Sequence, residues 1–292
     1  MNNNSILSLT IRRFRKHRMA MFGMITLIII CIFVFIVPFL SQQDPFQQDL
    51  LNRFQPPSFS HWMGTDDLGR DVWVRVLYGG RISLSVGLLA MFVSVFVGSL
   101  VGLLSGFYGG LTDSVLSRIT EVFLSIPRLF VLLALGMLIR SLDLPFIKAG
   151  SFGPIAFVIG ALSWMGVARI VRGATLELRE REFVLAARAI GAPDSRLILK
   201  HILPNVFSSV IVSATLGLAG AIISESGLSY LGFGVQLPTP TWGNMLSNTQ
   251  SQMTTAPWTV VFPGLMIFIV VIIINYIGDG LRDALDPHHF KK

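Results

Sequence analysis

Six long apolar runs dominate this sequence and constrain its fold more than any other feature. Hydrophobic residues make up 52% of the 292 residues and charged residues only 13%, a balance too apolar for a soluble domain of that length. Backbone polar groups find no partners in a hydrocarbon core, so each run is predicted to be a helix. We therefore expect an all-α integral membrane protein with six transmembrane helices. The runs cover 19–40, 82–108, about 120–139, 149–168, about 203–224 and 258–278.

The first run follows a basic segment, IRRFRKHR at 11–18, in the order typical of signal peptides. Its 22 residues would extend about 33 Å at roughly 1.5 Å per residue, which is enough to span a bilayer core. No small-residue cleavage site follows, because the next residues read SQQDPF. A retained first helix is predicted. Two parts of the chain are therefore expected. The N-terminal region at 1–80 contains a cytoplasmic tail, the first helix and an outer loop, and the core at 81–292 contains the other five helices.

The distribution of basic residues predicts the orientation. If the N-terminus is inside, the inner segments hold 16 of the 23 Lys and Arg residues, the outer segments hold six, and Arg128 lies within the third run. Cytoplasmic loops of membrane proteins carry such an excess. Both termini are therefore predicted to be cytoplasmic. The chain is expected to contact the lipid bilayer, and its net charge of +7 follows from this topology, so it gives no reason to expect nucleic acid binding.

One inner loop, at 179–204, has a residue pattern that a simple connection between two helices would not require. It begins REREFVLAARAIGAPDS, with strong helix formers up to Ile190. Gly191 suits the left-handed residue that ends a helix, and Pro193 suits the first turn of another. Two short helices at an elbow are predicted. The first presents alanines beside Phe183, with Glu182 and Arg188 at its borders, so another protein could approach it closely; the alternative is a solvated basic loop.

This loop is similar to the signature loop of binding-protein-dependent importer permeases. The similarity rests on an acidic residue, an alanine pair, a glycine and a later Leu-Pro, here Glu182, Ala186, Ala187, Gly191, Ile202, Leu203 and Pro204. The alanine pair lies four and five residues after Glu182, with three residues between. Other stretches resemble the C-type subunit of oligopeptide and dipeptide permeases: GTDDLGRD at 64–71, RISLSVG at 81–87, LSYLGFG at 228–234, PTPTWGNML at 238–246 and GDGLRDALDP at 278–287.

The resemblance implies the type I ABC importer permease fold in a bacterial plasma (inner) membrane. It implies a homologous second permease, two cytoplasmic ATPases that bind the ATP and Mg, and an external substrate-binding protein; this chain itself would bind no cofactor. Short peptides are the implied substrate, and nickel chelates or glutathione are the alternatives. The residues implied in ATPase coupling are Glu182, Phe183, Ala186, Ala187, Arg188, Gly191, Leu203 and Pro204.

Few ionisable residues lie in or beside the apolar runs, and such residues often mark pathways. Glu121 and Arg128 are seven apart, so on one helix they would share a face. They either line the translocation path or extend to the inner interface as a pair. Glu225 closes the fifth run and precedes 53 uncharged residues. It is interpreted either as an outer gate that meets the ligand or as a helix-end carboxylate at the headgroup level.

Three further features have competing structural interpretations. Gly98, Gly102 and Gly106 repeat at four-residue spacing, which allows a close helix crossing within the chain or with a partner. The outer segment around Trp242 is predicted to form a surface element, which either meets a binding protein or only packs. Three aspartates, Asp66, Asp67 and Asp71, could suggest a metal site. The glycines and Arg70 among them instead favour a turn with internal ion pairs, so no metal is expected.

The sequence argues against other classes of function. It has no G-x-x-x-x-G-K-[ST] loop, so the chain is expected to be a non-catalytic subunit powered by partner ATPases. An intramembrane protease is disfavoured because all five histidines lie outside the confident runs and no H-E-x-x-H occurs. A self-contained secondary transporter would be expected to show intramembrane charges, broken helices or an inverted repeat, and none is evident in the sequence.

Overall fold

The computed structural model describes residues 6–41, 44–141, 151–247 and 249–285, and within these ranges the regular structure is helical. Aspartate, proline and glycine residues set many of the helix ends. In these ranges the α-helices of four or more residues are α1 (Ile6–Lys16), α2 (Arg18–Ser41), α3 (Val72–Tyr108), α4 (Gly110–Ser125), α5 (Arg128–Ser141), α6 (Gly153–Ala161), α7 (Trp164–Arg179), α8 (Glu182–Ala189), α9 (Leu203–Tyr230), α10 (Trp242–Met245) and α11 (Trp258–Leu285).

Four helices are long and apolar enough to cross a membrane singly: α2, α3, α9 with the helical turns from Asp194 onward, and α11. Two further pairs of helices are long and apolar enough only when taken together, and each pair is bent. α4 and α5 meet at 84°, and α6 and α7 meet at 43°. Six crossings result if each pair is one span, in agreement with the predicted all-α membrane protein. An even number of crossings places both termini on the same side.

Several predicted boundaries differ from the structure. α3 begins at Val72, ten residues before the apolar run, because the Asp71 carboxylate caps the helix by accepting from the Val74 N–H at 3.1 Å. The third run is not one helix. Pro127 lacks an N–H and forces Ile126 into an extended conformation (φ −88°, ψ 127°), which ends α4. The start of the fourth run, at 149–150, lies outside the described residues, as does the end of GDGLRDALDP at 286–287.

The bent pairs also correct one argument drawn from the sequence. Broken helices were not evident in the apolar pattern, and their absence counted against a secondary transporter. The structure has two bent helix pairs, so the expectation that no helix is broken was wrong. The second break, at Leu162 and Ser163, contains no proline or glycine, and hydropathy alone does not reveal it. The choice between transporter classes therefore depends on other observations.

The glycine repeat forms the contact between α3 and α7. A Cβ atom on Gly98 would lie 2.6 Å from the Trp164 carbonyl oxygen, and one on Gly102 would lie 2.6 Å from the Ala168 carbonyl oxygen. Gly106 packs in the same way against Thr175. These glycines let two helix backbones approach within the chain, which is the first of the two arrangements that the sequence left open.

The segment around Trp242 packs against this chain's own helices, which is the second of the two alternatives that the sequence left open, and Leu237 just before it is 62% exposed. The Trp242 indole is fully buried in a cluster formed by α2, α3, α9 and α11. The indole N–H donates to the Val76 carbonyl at 2.9 Å, and the backbone N–H of Trp242 donates to the Ser83 hydroxyl at 3.2 Å. Because both polar groups are satisfied, the ring can be buried without a desolvation penalty. The segment therefore packs inside this chain.

Candidate functional site: a capped helix and a mid-membrane junction

The signature loop contains a short helix, α8, with one buried and one exposed face. Val184 and Ala187, three residues apart, are buried in a hydrophobic cluster with residues of α3, α7 and α9. Phe183, Leu185 and Ile190 are exposed, and Ile190 is 87% exposed. Glu182, Ala186 and Arg188 also lie on the exposed side. Only one alanine of the pair is therefore free to meet a partner, because Ala187 packs inward.

The elbow after α8 is a well-formed helix cap. Gly191 adopts a φ of +84°, and its N–H donates to the Arg188 carbonyl at 3.0 Å. The Ala192 N–H donates to the Ala187 carbonyl at 3.1 Å, which completes a Schellman motif. The second helix was predicted to be short. Instead, the helical turns that start at Asp194 run directly into α9, so Leu203 and Pro204 lie in a continuous helix that reaches Tyr230.

α8 contacts the corner where α3 turns into α4. The Arg188 guanidinium lies 5.6 Å from the centroid of the buried Phe107 ring, a cation–π distance. Arg179, at the end of α7, donates to the Gly106 carbonyl at 3.0 Å in the same corner. Movement of α8 would therefore bear on the start of α4 as well as on α9.

An ion pair that the sequence did not reveal joins α4 to α7. Arg172 Nε donates to Asp113 Oδ1 at 2.5 Å and its Nη2 donates to Oδ2 at 2.6 Å, a bidentate arrangement. The Ser105 hydroxyl also donates to Asp113. No pattern in the sequence links the two residues, because they are 59 positions apart and each lies next to an inner loop. Such pairs give geometric specificity as well as energy.

Glu121 and Arg128 do not share a helix face, because the bend at Pro127 places them on different helices. Glu121 on α4 pairs instead with Arg118 at 3.3 Å, and both side chains are exposed. Arg128 is the first residue of α5. Its Nη2 donates to the Ser163 hydroxyl at 2.7 Å, so the breaks of the two bent pairs meet at this hydrogen bond. The prediction that the two residues share a helix face was wrong.

Glu225 is fully buried and is not at a helix end, since α9 continues for five more residues. One carboxylate oxygen accepts from the Ser83 hydroxyl at 3.0 Å and the other from the Ser229 hydroxyl at 2.7 Å. The interpretation as a helix-end carboxylate was therefore wrong. Within the isolated chain, this residue joins helices and faces no open path.

The outer-loop aspartates are used in turns and ion pairs. Asp66 pairs with Arg70 at 2.7 Å and with the buried Arg75 at 3.5 Å. Asp71 pairs with His61 at 2.8 Å and caps α3. In the described ranges, no three His, Cys, Asp or Glu residues are grouped as a metal site requires. The motif instead fixes the outer loop to the start of α3.

These features define a class: a multi-pass helical membrane protein of the permease type, with broken spans and an exposed capped helix at one end. The chain belongs to the family described as Binding-protein-dependent transport system inner membrane component, which matches residues 98–291. Residues 5–57 match the N-terminal TM domain of oligopeptide transport permease C. It is therefore a bacterial inner-membrane permease, as its motifs predicted.

Individual relatives cover nearly the whole chain. It is 41% identical over 275 residues to the oligopeptide transport system permease protein OppC of Bacillus subtilis, covering 94% of this chain and 87% of that one. It is 41% identical over 280 residues to the glutathione transport system permease protein GsiD of Escherichia coli, covering 94% and 88%. The inward-facing MetNI methionine ABC transporter has the same fold, with a TM-score of 0.57 at 20% identity, covering 72% of this chain and 96% of that chain. This confirms the type I permease fold.

Proposed function

We propose that this chain forms half of the translocation pathway of an ATP-driven importer for short peptides. A homologous second permease forms the other half, an external binding protein delivers the peptide, and two cytoplasmic ATPases bind ATP and Mg. Relatives named for oligopeptide and dipeptide transport support the peptide assignment. The relative named for glutathione transport supports a second candidate, since glutathione is itself a small peptide.

The observation that supports coupling best is α8. It exposes apolar side chains, Phe183 and Leu185, beside the small Ala186, at the end of the molecule that the basic residues assign to the cytoplasm. Apolar groups exposed outside the membrane mark a protein interface. The buried Val184 and Ala187 fix the helix to the core, so a displacement imposed by an ATPase would reach α3, α7 and α9.

Gly191 offers a sharp test of this coupling. A proline cannot adopt φ +84° and has no N–H to donate to Arg188, so Gly191→Pro should disrupt the cap. Asparagine tolerates the left-handed region and keeps its N–H, which makes Gly191→Asn the matched control. In a reconstituted complex, we expect Gly191→Pro to remove peptide-stimulated ATPase activity and peptide uptake, while Gly191→Asn retains most of both.

Affinity purification from native membranes establishes the partners first. A second permease and ATPases should co-purify with the wild-type chain and with Gly191→Asn. Normal peptide-stimulated ATPase activity in an assembled Gly191→Pro complex would contradict the proposed coupling role. A chain that purifies alone and transports alone in liposomes would contradict the importer assignment itself.

A further inference from the structure

The junction where the two bent pairs meet places a cationic side chain near the middle of the membrane. A Cβ atom on Gly160 would lie 2.7 Å from the Ala90 carbonyl oxygen, and Gly98 touches the Trp164 carbonyl, so Ser163 lies beside the α3 segment between Ala90 and Gly98. The middle of the apolar run of α3 is near residue 95. At 1.5 Å per residue, Ser163 and its hydrogen-bond partner Arg128 are within roughly 8 Å of that level.

The Arg128 guanidinium has N–H donors that no side chain of the described residues accepts from. Its guanidinium has five N–H donors and uses one, toward Ser163. None of the ion pairs among the described residues includes Arg128, and Glu121 pairs with Arg118 instead. A cation near the bilayer centre is costly when it faces lipid, so it faces a water-filled path or an anion. Arg128 is exposed on the isolated chain, which leaves it accessible to such an anion.

A cleft of about 360 Å³ lies next to Arg128, between the first bent pair and the second. Its walls are mainly apolar, with Leu124, Val131 and Met165 among them. α5 begins at Arg128 and α7 begins at Trp164, but α4 and α6 end at the same junction, so the partial charges of the helix ends oppose one another and the guanidinium supplies the positive charge. The site combines one guanidinium and an apolar wall that makes few demands on side-chain identity.

We propose that Arg128 binds the carboxylate of the transported ligand during its passage, at a mid-membrane site built from the two helix breaks. This inference rests on the proposed function and adds a ligand group to it. Peptides carry a terminal carboxylate whatever their side chains, and glutathione carries two. A planar guanidinium can bind such a group with two parallel hydrogen bonds. The apolar cleft then accommodates diverse side chains.

The test compares two peptides in proteoliposomes that contain the complete importer with its binding protein. The probes are trialanine and trialanine amide, which differ only at the C-terminal group. We expect Arg128→Gln to lower uptake of the free acid at least about tenfold, as loss of a charge-assisted hydrogen bond predicts, and to change uptake of the amide less than about twofold. The binding protein is the same throughout, so its own preference cancels in the comparison of variant with wild type.

Arg118→Gln is the matched control, because it removes one arginine charge from an 81% exposed side chain on the neighbouring α4. Both peptides should enter at close to the wild-type rate. A second measurement does not depend on delivery of the amide. Leu124→Cys, in a Cys31→Ser background, lines the cleft and can be labelled with a thiol reagent. The free acid should slow this labelling with Arg128 present and should not slow it with Arg128→Gln.

An equal loss of uptake for both peptides in Arg128→Gln would overturn the proposal. It would indicate that Arg128 contacts the second permease and not the peptide carboxylate. Unchanged uptake of the free acid would also overturn it. Failure of the proposed function has a different signature, since the wild-type complex would then import neither peptide. In that case glutathione and its diethyl ester replace the two peptides in the same comparison.

Discussion

Glu225 connects three parts of the chain through hydroxyl groups. Ser83 on α3 donates to it and accepts from the Trp242 N–H, while Ser229 donates to it and accepts from the Val235 N–H at 3.2 Å. The carboxylate therefore holds the segment between α9 and α10 against α3. The sequence could suggest that this isolated charge matters. It could not identify the role, because Ser83 lies 142 positions away and hydroxyl groups are common.

Replacement of Glu225 separates hydrogen bonding from charge. Glu225→Leu leaves the Ser83 and Ser229 hydroxyls without their acceptor, and each such loss costs about 1–3 kcal/mol. Glu225→Gln keeps the shape and one acceptor oxygen, so one of the two hydroxyls keeps its acceptor. We expect a clearly lower thermal unfolding midpoint in detergent for Glu225→Leu and a smaller decrease for Glu225→Gln. A leucine variant as stable as the wild type would contradict the role given to this network.

Residue-level prediction succeeded where one residue type suits one backbone geometry. Gly191 was assigned to a left-handed helix end, and its φ is +84°. It failed where a role depends on distant partners. Glu121 and Arg128 were paired by their spacing along one helix, and the proline between them had already broken that helix. The signal was present, because the residue before a proline is driven out of the helical region.

At the scale of elements, the contact between α3 and α7 depends on glycines that no larger residue can replace. Gly102→Ala would place a Cβ atom 2.6 Å from the Ala168 carbonyl oxygen and 2.7 Å from the Val171 Cβ, and neither atom can move easily. Gly217 on α9 has nothing within 4 Å, so Gly217→Ala is a matched control. Overpacking costs about 1–3 kcal/mol, whereas alanine in an open helical position is neutral or favourable.

We therefore expect Gly102→Ala to lower the thermal unfolding midpoint of the purified chain and its yield in membranes. Gly217→Ala should leave both within error or raise the midpoint slightly. Equal behaviour of the two variants would show that the helices separate at no cost, which would contradict the close packing. Reading the midpoint on the isolated chain keeps any effect of the second permease out of the result.

Apolar runs predicted where helices cross the membrane and were less informative about how each begins and breaks. α3 begins at Val72 although two arginines, Arg75 and Arg81, follow in its first turns. Arg75 is only 3% exposed, because it donates to the Pro45 carbonyl and lies near Asp66. Hydropathy treats an arginine as an end of a span, whereas a paired arginine continues the helix. The break at Leu162 and Ser163 contains no proline or glycine, so neither of these residue types marks it in the sequence.

At the scale of the whole molecule, the proposed coupling surface and the proposed ligand site lie at different depths of one bundle. α8 touches Phe107 at the end of α3, and the bidentate pair of Asp113 with Arg172 joins α4 to α7 nearby. α4 then leads to the junction at Arg128. An imposed movement of α8 thus has a continuous packed route to the middle of the membrane. Transport by the Gly191 and Arg128 variants tests whether coupling follows this route.

The whole arrangement requires that the two bent pairs cross the membrane, and cysteine labelling tests this directly. In a Cys31→Ser background, Phe59, Phe152 and Ile190 are replaced one at a time by cysteine. If both bent pairs are spans, a membrane-impermeant maleimide should label the first two positions in intact cells and Ile190 only after permeabilisation. The excess of basic residues near α8 predicts that orientation.

Phe152 is the deciding position, because it follows α4 and α5 and precedes α6. If α4 and α5 instead formed a re-entrant loop, the chain would return to the cytoplasm and Phe152 would be protected. Ile190 would then be labelled in intact cells, unless α6 and α7 were re-entrant as well. The mid-membrane site at Arg128 would then lose its geometric basis. Labelling of all three positions in detergent provides the control for accessibility, and expression without the partner subunits prevents a docked ATPase from hiding Ile190. External labelling of Phe152 together with protection of Ile190 would fix six crossings and put both helix breaks within the bilayer.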